Sequence, residues 1–266
     1  MNIAESVKNK IDAYCQATYN NGHRNHLGAW LIGDECSRKL WYVFRWCFAE
    51  KHSGRMLRLF NRGHLEEARF IEWLQGAGIT IVSTQSQISA ADGHFGGSMD
   101  GVATASFHDK PFLLEFKTSA AGYNFKNLMK NGVKVVKPQH YAQICSYGLN
   151  QFTHCLYLCI NKNTDDLYVE WIELDPGVGI EMLHKANDII YSPTPPVQIS
   201  KNPTFYKCRM CEANAICHQG ERAVTNCRSC RFAKPVEKAQ WHCARWNAVI
   251  DSEFIKTGCA LWESIL

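Results

Sequence analysis

The sequence predicts an α/β protein with a small, cysteine-rich C-terminal appendage stapled by metal. Three observations predict this. A helical stretch at residues 61–78 leads into three consecutive runs with strand-like alternation, a second helix and two more strands follow Pro138, and six of the 13 cysteines crowd into residues 208–243. A chain of 266 residues with 46% hydrophobic content is long enough to bury a real core, which excludes disorder. Its net charge of +4 permits an anionic partner but does not argue for one, so any nucleic-acid signal must come from local clusters.

Residues 1–50 read as helical and include "CSRKLWYVFRWCF", a basic and aromatic stretch. Their start carries neither an apolar signal segment nor an Arg-rich amphipathic pattern, and no uncharged run is long enough to cross a bilayer. A soluble, cytoplasmic protein with no membrane partner is the expectation. "NRGHLEEARFIEWLQGAG" places Leu65, Ala68, Ile71 and Leu74 on one helical face and ends at Gly76 and Gly78. "ITIVSTQSQIS", "GGSMDGVATAS" and "KPFLLEFKTS" follow as strands, joined by turn-forming "ADGHFG" and "FHDKP". A loop bearing Lys126, Lys130, Lys134 and Lys137 then precedes a helix, "PQHYAQICSYGL", that Pro138 can open at its first position. Strands "HCLYLCINK" and "DLYVEWIEL" and a helix over 177–191 come next, before "SPTPP" marks a boundary with the tail. The expected division is residues 1–220 as the core and 221–266 as the appendage.

Chemistry enters at "LLEFKTS". Alternation along a strand puts Phe112, Leu114 and Phe116 on one face and Leu113, Glu115 and Lys117 on the other. A hairpin from "SMDG" would bring Asp100 beside Glu115. Two carboxylates meeting on a sheet repel each other unless a cation lies between them, and hard oxygen donors suit Mg2+ or Mn2+. A lysine on the same face completes a set suited to phosphodiester hydrolysis. Taken alone, an E-x-K triplet is a surface ion pair in most proteins.

The order of parts, a helix with a glutamate, an acidic hairpin strand, the E-x-K strand and a helix carrying Gln and Tyr, resembles the PD-(D/E)XK nuclease superfamily, in particular its RecB-like and lambda-exonuclease-like branches. That resemblance implies a mixed central sheet flanked by helices. It also implies Glu67 of "GHLEE", Asp100 and Glu115 as metal ligands, with His64 the alternative to Glu67, and Lys117 as the group that positions the attacking water. Gln143 and Tyr147 fit its Q-x-x-x-Y motif, where a polar helix stripe would hold a DNA strand. The bland alternative for that stripe is a solvent-facing helix side. An exonuclease acting on DNA is implied, phage-encoded and working in the host cytoplasm, with a recombination or replication protein as a possible partner. An endonuclease and a silent DNA-binding scaffold are the rivals.

In "CRMCEANAIC", Cys208, Cys211 and Cys217 supply three thiols and need a fourth. Cys36, in "DECSRKLWY", resembles the early cysteine of iron-sulfur nucleases, which implies a 4Fe-4S cluster on these four. Zinc suits the same thiolates. A second set, Cys227, Cys230, Cys243 and Cys259, reads as a zinc site, with His242 the substitute for Cys259. Cys15, Cys47, Cys145, Cys155 and Cys159 stand singly or in apolar runs and read as buried thiols. Arg38, Lys39, Arg45, Arg55, Arg58 and Arg62 interleave with or follow aromatics, a mixture that can neutralise phosphates, and these basic residues are assigned to DNA.

Overall fold

The structure, a computed structural model, describes residues 2–19, 22–49, 52–120, 122–149 and 151–266. In chain order these form α1 (Ile3–Tyr19), β1 (Leu27–Gly28), α2 (Ser37–Phe44), α3 (Gly54–Gly76), β2 (Thr80–Ala90), β3 (Phe95–Ala105), β4 (His108–Ser119), α4 (Tyr123–Val136), α5 (Pro138–Gly148), β5 (His154–Asn161), β6 (Leu167–Glu173) and α6 (Pro176–Tyr191). The remainder holds α7 (Tyr206–Arg209), α8 (Asn214–His218), β7 (Ala233–Val236), β8 (Gln240–Cys243), β9 (Ala248–Val249) and α9 (Ser252–Ile255). Among the described residues no helix is long and apolar enough to cross a membrane.

Two compact units interleave along the chain. One comprises Met1–Gly22, Lys51–Ser86 and Ser98–Asp175, the other His23–Glu50, Gln87–Gly97 and Pro176–Leu266, a partition different from a single division at residue 220.

In the first unit the sheet runs β3-β4-β5-β6, with β2 pairing to β3. β3 and β4 are antiparallel, β4 and β5 parallel, β5 and β6 antiparallel, so the sheet is mixed. The parallel pair needs a crossover, which α4 and α5 supply. Alternation along β4 works as its sequence requires. Phe112, Leu114 and Phe116 pack with Ala103, Leu156, Leu158 and Ile160 and with Phe70 and Leu74 of α3, and the Phe70 and Phe116 rings stack with centroids 5.0 Å apart. The opposite face of the sheet meets α5, where His140 Nδ1 lies 2.8 Å from the Tyr157 hydroxyl of β5. Ser53 caps α3 by accepting from the Met56 N–H at 3.3 Å. Its first residue, Gly54, is pressed so closely on α1 that a Cβ would stand 2.6 Å from the Asp12 backbone.

The lysine-bearing segment expected to be a loop is α4. Phe125, Leu128 and Val133 are its buried residues while Lys126, Lys130 and Lys134 lie exposed at four-residue spacing, the pattern of a helix with one wet face. Gly132 interrupts it at φ 75° and ψ 171°, and the Val133 N–H beyond the break donates to Glu170 Oε2 at 2.8 Å.

The second unit contains all eight cysteines assigned to metal. Its "SPTPP" stretch, expected as a boundary, lies inside the unit: Arg38 Nη1 donates to the Pro196 carbonyl at 2.8 Å and Trp41 Nε1 to that of Ser192 at 3.0 Å. Arg228 is wholly buried here, its guanidinium 4.5, 4.3 and 4.7 Å from the ring centroids of Phe44, Trp46 and Trp241. β7, β8 and β9 form a small antiparallel sheet beside it in sequence.

Candidate active site

The β3–β4 register pairs Gly101 with Leu114, so one step outward Asp100 faces Glu115. Asp100 turns its carboxylate onto the neighbouring strand, and its Oδ2 accepts the Phe116 N–H at 2.6 Å. Glu115 is fully buried; Lys117 Nζ donates to its Oε1, and its Oε2 has no hydrogen-bond partner. Such an acceptor is costly to bury unless something electropositive meets it. Burial, and then the Glu115 charge, push the Asp100 carboxyl up to about 8, against the opposing pull of Lys117 and the Phe116 N–H; Glu67 adds to the upward push. For Lys117, burial alone would lower its pKa, yet the Glu115 and Asp100 charges outweigh it and hold the ammonium above the ordinary amine range.

Glu67 reaches this neighbourhood from α3. Its Oε1 lies 3.0 Å from His64 Nδ1, and its Oε2 accepts from Gln85 Nε2 at 2.8 Å. The His64 side chain is 73% exposed, and Glu67, not His64, is among the groups felt by Asp100.

Gln143 and Tyr147 do not form an exposed stripe. They are 5% and 2% exposed, because α5 buries every residue from Tyr141 to Tyr147. Gln143 Nε2 donates to the Tyr147 hydroxyl at 3.1 Å, which in turn donates to the Ser98 carbonyl at 3.2 Å, two residues before Asp100. Burial, followed by the Glu115 charge, raises the Tyr147 phenol above its usual range and keeps it protonated as a donor. The pair braces β3. His140, one turn before Gln143, is pushed down to about 3 by burial and then by Lys117 and Lys137, so its ring is neutral. Sequence reasoning passed over Gln85, Ser98 and His140; only His140, on the motif helix, carried a signal of its place.

Whether these residues suit a divalent cation can be judged from their donors. Among the described residues no three His, Cys, Asp or Glu side chains are gathered to hold a metal as they stand. Glu115 Oε1 is engaged by Lys117, and Glu67 by His64 and Gln85. Yet the donor set fits. A cation between Asp100 and Glu115 would meet the unpartnered Oε2 and offset the repulsion that raises the Asp100 pKa.

Among the described residues neither expected set of thiols is gathered to hold a metal as it stands, though some members of each set feel one another. Burial raises the Cys208 thiol and then Cys217 and Cys36 raise it further, while Cys211 is raised by burial and also feels Cys36. Cys36 caps α2, its sulfur accepting the Lys39 N–H at 3.4 Å. Cys227 is pushed up to about 11 by burial and then by Cys259, Cys230 and Cys243. All 13 cysteines are free thiols, and Cys15, Cys47, Cys145, Cys155 and Cys159 are buried.

Most of the basic residues assigned to DNA are committed elsewhere. Arg45 is 2% exposed and donates to the Ala233 carbonyl at 2.8 Å; burial pushes its pKa down to about 10. Lys39 pairs with Asp34 at 2.7 Å, Arg58 with Asp12, and Arg62 Nη2 donates to the Lys162 carbonyl at 3.0 Å. Aromatic neighbours bury Arg45, whereas the Arg58 and Arg62 side chains stay partly exposed and are held by other groups of the chain.

No protein-family model matches the chain, and no curated protein does. Among solved structures it is similar to SSO0001, at 14% identity and a TM-score of 0.44 over 85% of this chain and 99% of that one. It is also similar to the alkaline exonuclease LHK-Exo from Laribacter hongkongensis, at 15% identity and a TM-score of 0.47 over 68% of this chain and 90% of that one. The same exonuclease in complex with dAMP gives 14% identity and a TM-score of 0.44, again over 68% and 90%. At such identities and TM-scores, function has to be argued from the site's own residues.

Proposed function

We propose that the chain is a divalent-metal-dependent deoxyribonuclease of the PD-(D/E)XK kind that degrades DNA from an end. The observation that carries this reading is the buried Glu115 carboxylate, with one oxygen unpartnered and the other on Lys117, facing Asp100 across the hairpin. Glu67, Asp100 and Glu115 would hold one or two Mg2+ or Mn2+ ions. A bound ion of this kind supplies an acidified water and neutralises a phosphate oxygen. Lys117 holds its ammonium on the same face, where it orients the attacking water or stabilises charge gathering on the phosphoryl oxygens. Water adds across one P–O bond, leaving a phosphate monoester and a hydroxyl. Gln143 and Tyr147 brace the strand that carries Asp100. A role in phage DNA recombination or degradation, in the host cytoplasm and beside a recombination or replication protein, extends this reading on the strength of the motif resemblance.

The test is end-labelled linear DNA against closed circular DNA. With Mg2+, linear DNA should be degraded progressively while circular DNA persists, and a chelator should stop the reaction by emptying the carboxylate site. Rapid nicking of the circle by clean protein would make the chain an endonuclease. Binding without cleavage in Mg2+ or Mn2+ would make it a scaffold.

For the thiols we propose a 4Fe-4S cluster on Cys36, Cys208, Cys211 and Cys217, and zinc on Cys227, Cys230, Cys243 and Cys259. The support is the spacing of the cysteines in the sequence, together with the effect of Cys217 and Cys36 on Cys208, of Cys36 on Cys211, and of Cys259, Cys230 and Cys243 on Cys227. Protein purified without oxygen should be brown, with iron, sulfide and about one zinc per chain. Zinc alone, at about two per chain, would refute the cluster. Cys208→Ser should impair folding under either metal, because structural metal binding is coupled to folding.

A further inference from the structure

Gln85 lies in the middle of β2 with φ at 54°, a left-handed backbone conformation uncommon for any residue but glycine. Such a conformation persists where the surroundings over-determine it, and in a strand it re-aims the side chain. A hydrogen bond between the Ser83 and Ser86 hydroxyls, 2.8 Å long, spans the irregular residue. The redirected amide makes two bonds of opposite sense. Its Nε2 donates to Glu67 Oε2 at 2.8 Å and its Oε1 accepts from Ser98 Oγ at 2.7 Å. A carboxylate only accepts, so this orientation of the amide is the one that satisfies both ends.

These bonds connect parts that the sequence keeps apart. Glu67 stands on α3 and Ser98 on β3, two residues before Asp100, and the Ser98 carbonyl receives the Tyr147 hydroxyl. Without a tie to the sheet, a half-exposed glutamate on a helix face can swing through its side-chain rotamers. We infer that Gln85 is a positioning residue, holding the Glu67 carboxylate in the orientation in which it shares a divalent cation with Asp100 and Glu115. The Glu67 oxygens keep lone pairs beyond those used by Gln85 and His64, so holding and ligating are compatible. This inference rests on the nuclease reading and adds to it a residue that belongs to none of the sequence motifs. Partners that orient a ligand from behind are typically worth about 10–100-fold in metal affinity.

The experiment titrates Mn2+ into the full-length protein without DNA, following free Mn2+ by electron paramagnetic resonance, with thermal melting and the Mg2+ dependence of DNA cleavage measured alongside. Gln85→Gly removes the amide while favouring the left-handed backbone, so it should melt close to wild type yet bind Mn2+ about 10-fold more weakly. The Mg2+ concentration for half-maximal cleavage should rise by a similar factor, with activity recovering as Mg2+ is raised. Gln85→Asn tolerates the same backbone but is one methylene too short for the bridge, and should show the same shift; it decides the matter if the glycine variant does not fold. Wild-type Mn2+ affinity in a folded variant, whatever its melting temperature, overturns the inference alone. A wild-type protein that neither binds Mn2+ nor cleaves DNA overturns the nuclease reading, and this inference with it.

Discussion

Glu115→Gln is expected to reduce DNA cleavage by about 10^3-fold or more, the scale seen when one preorganised electrostatic group is removed from a transition state. The substitution keeps the shape of the side chain and removes the charge, so the fold and DNA binding should survive. Divalent-ion binding should not. Lys117→Ala should reduce cleavage as severely for a different reason, since the ammonium bonded to Glu115 Oε1 would be gone. Removing that competitor leaves both Glu115 oxygens open, so Mn2+ affinity in Lys117→Ala should hold or increase while turnover is lost. The two variants therefore separate a ligand from a group that acts on the reacting water. Single-turnover cleavage and Mn2+ titration of both proteins would show it. Wild-type cleavage by either variant would remove the residue concerned from the site.

The core of this arrangement was legible because strand periodicity is unforgiving. Once "LLEFKTS" is read as a strand, its Phe and Leu residues pick the buried face, and Glu115 and Lys117 must share the other. A hairpin of known register then brings Asp100 opposite Glu115. Less legible were features decided by long-range contact. Lysines spaced by four beside Gly132 read as a loop because the apolar partners of α4, Phe125, Leu128 and Val133, are too sparse to announce a core face. Gln143 and Tyr147 read as a polar stripe, but a helix buried from Tyr141 to Tyr147 gives its polar residues one another and the Ser98 carbonyl as partners. Gln85 was invisible. Nothing in "STQSQ" signals a positive φ, which comes from what the strand must reach.

Arg228 carries no signal in "NCRSC", because the aromatic rings that surround it, those of Phe44, Trp46 and Trp241, come from distant segments. Nη1 donates to the Arg24 and Asn25 carbonyls at 3.2 and 3.3 Å, whereas Nε and Nη2 have no hydrogen-bond partner. Burying a charge costs several kcal/mol even after relaxation. Against this stand three aromatic rings within 4.7 Å of the guanidinium carbon, each worth about 2 kcal/mol when desolvated. The rings and the two carbonyl bonds oppose this cost, which, with the nearby Arg45 charge, pulls the Arg228 pKa down. Arg228→Ala should therefore destabilise the second unit by about 3–5 kcal/mol, as does deletion of a large buried side chain. Arg228→Met refills much of the space but forgoes the attraction to Phe44, Trp46 and Trp241, so its loss should be about half as large, still clearly above 1 kcal/mol. Denaturant unfolding of the three proteins at matched metal content measures both differences. If Arg228→Met proves as stable as wild type or more so, the buried charge is a burden carried by the fold, and the cation–π account of this core is wrong.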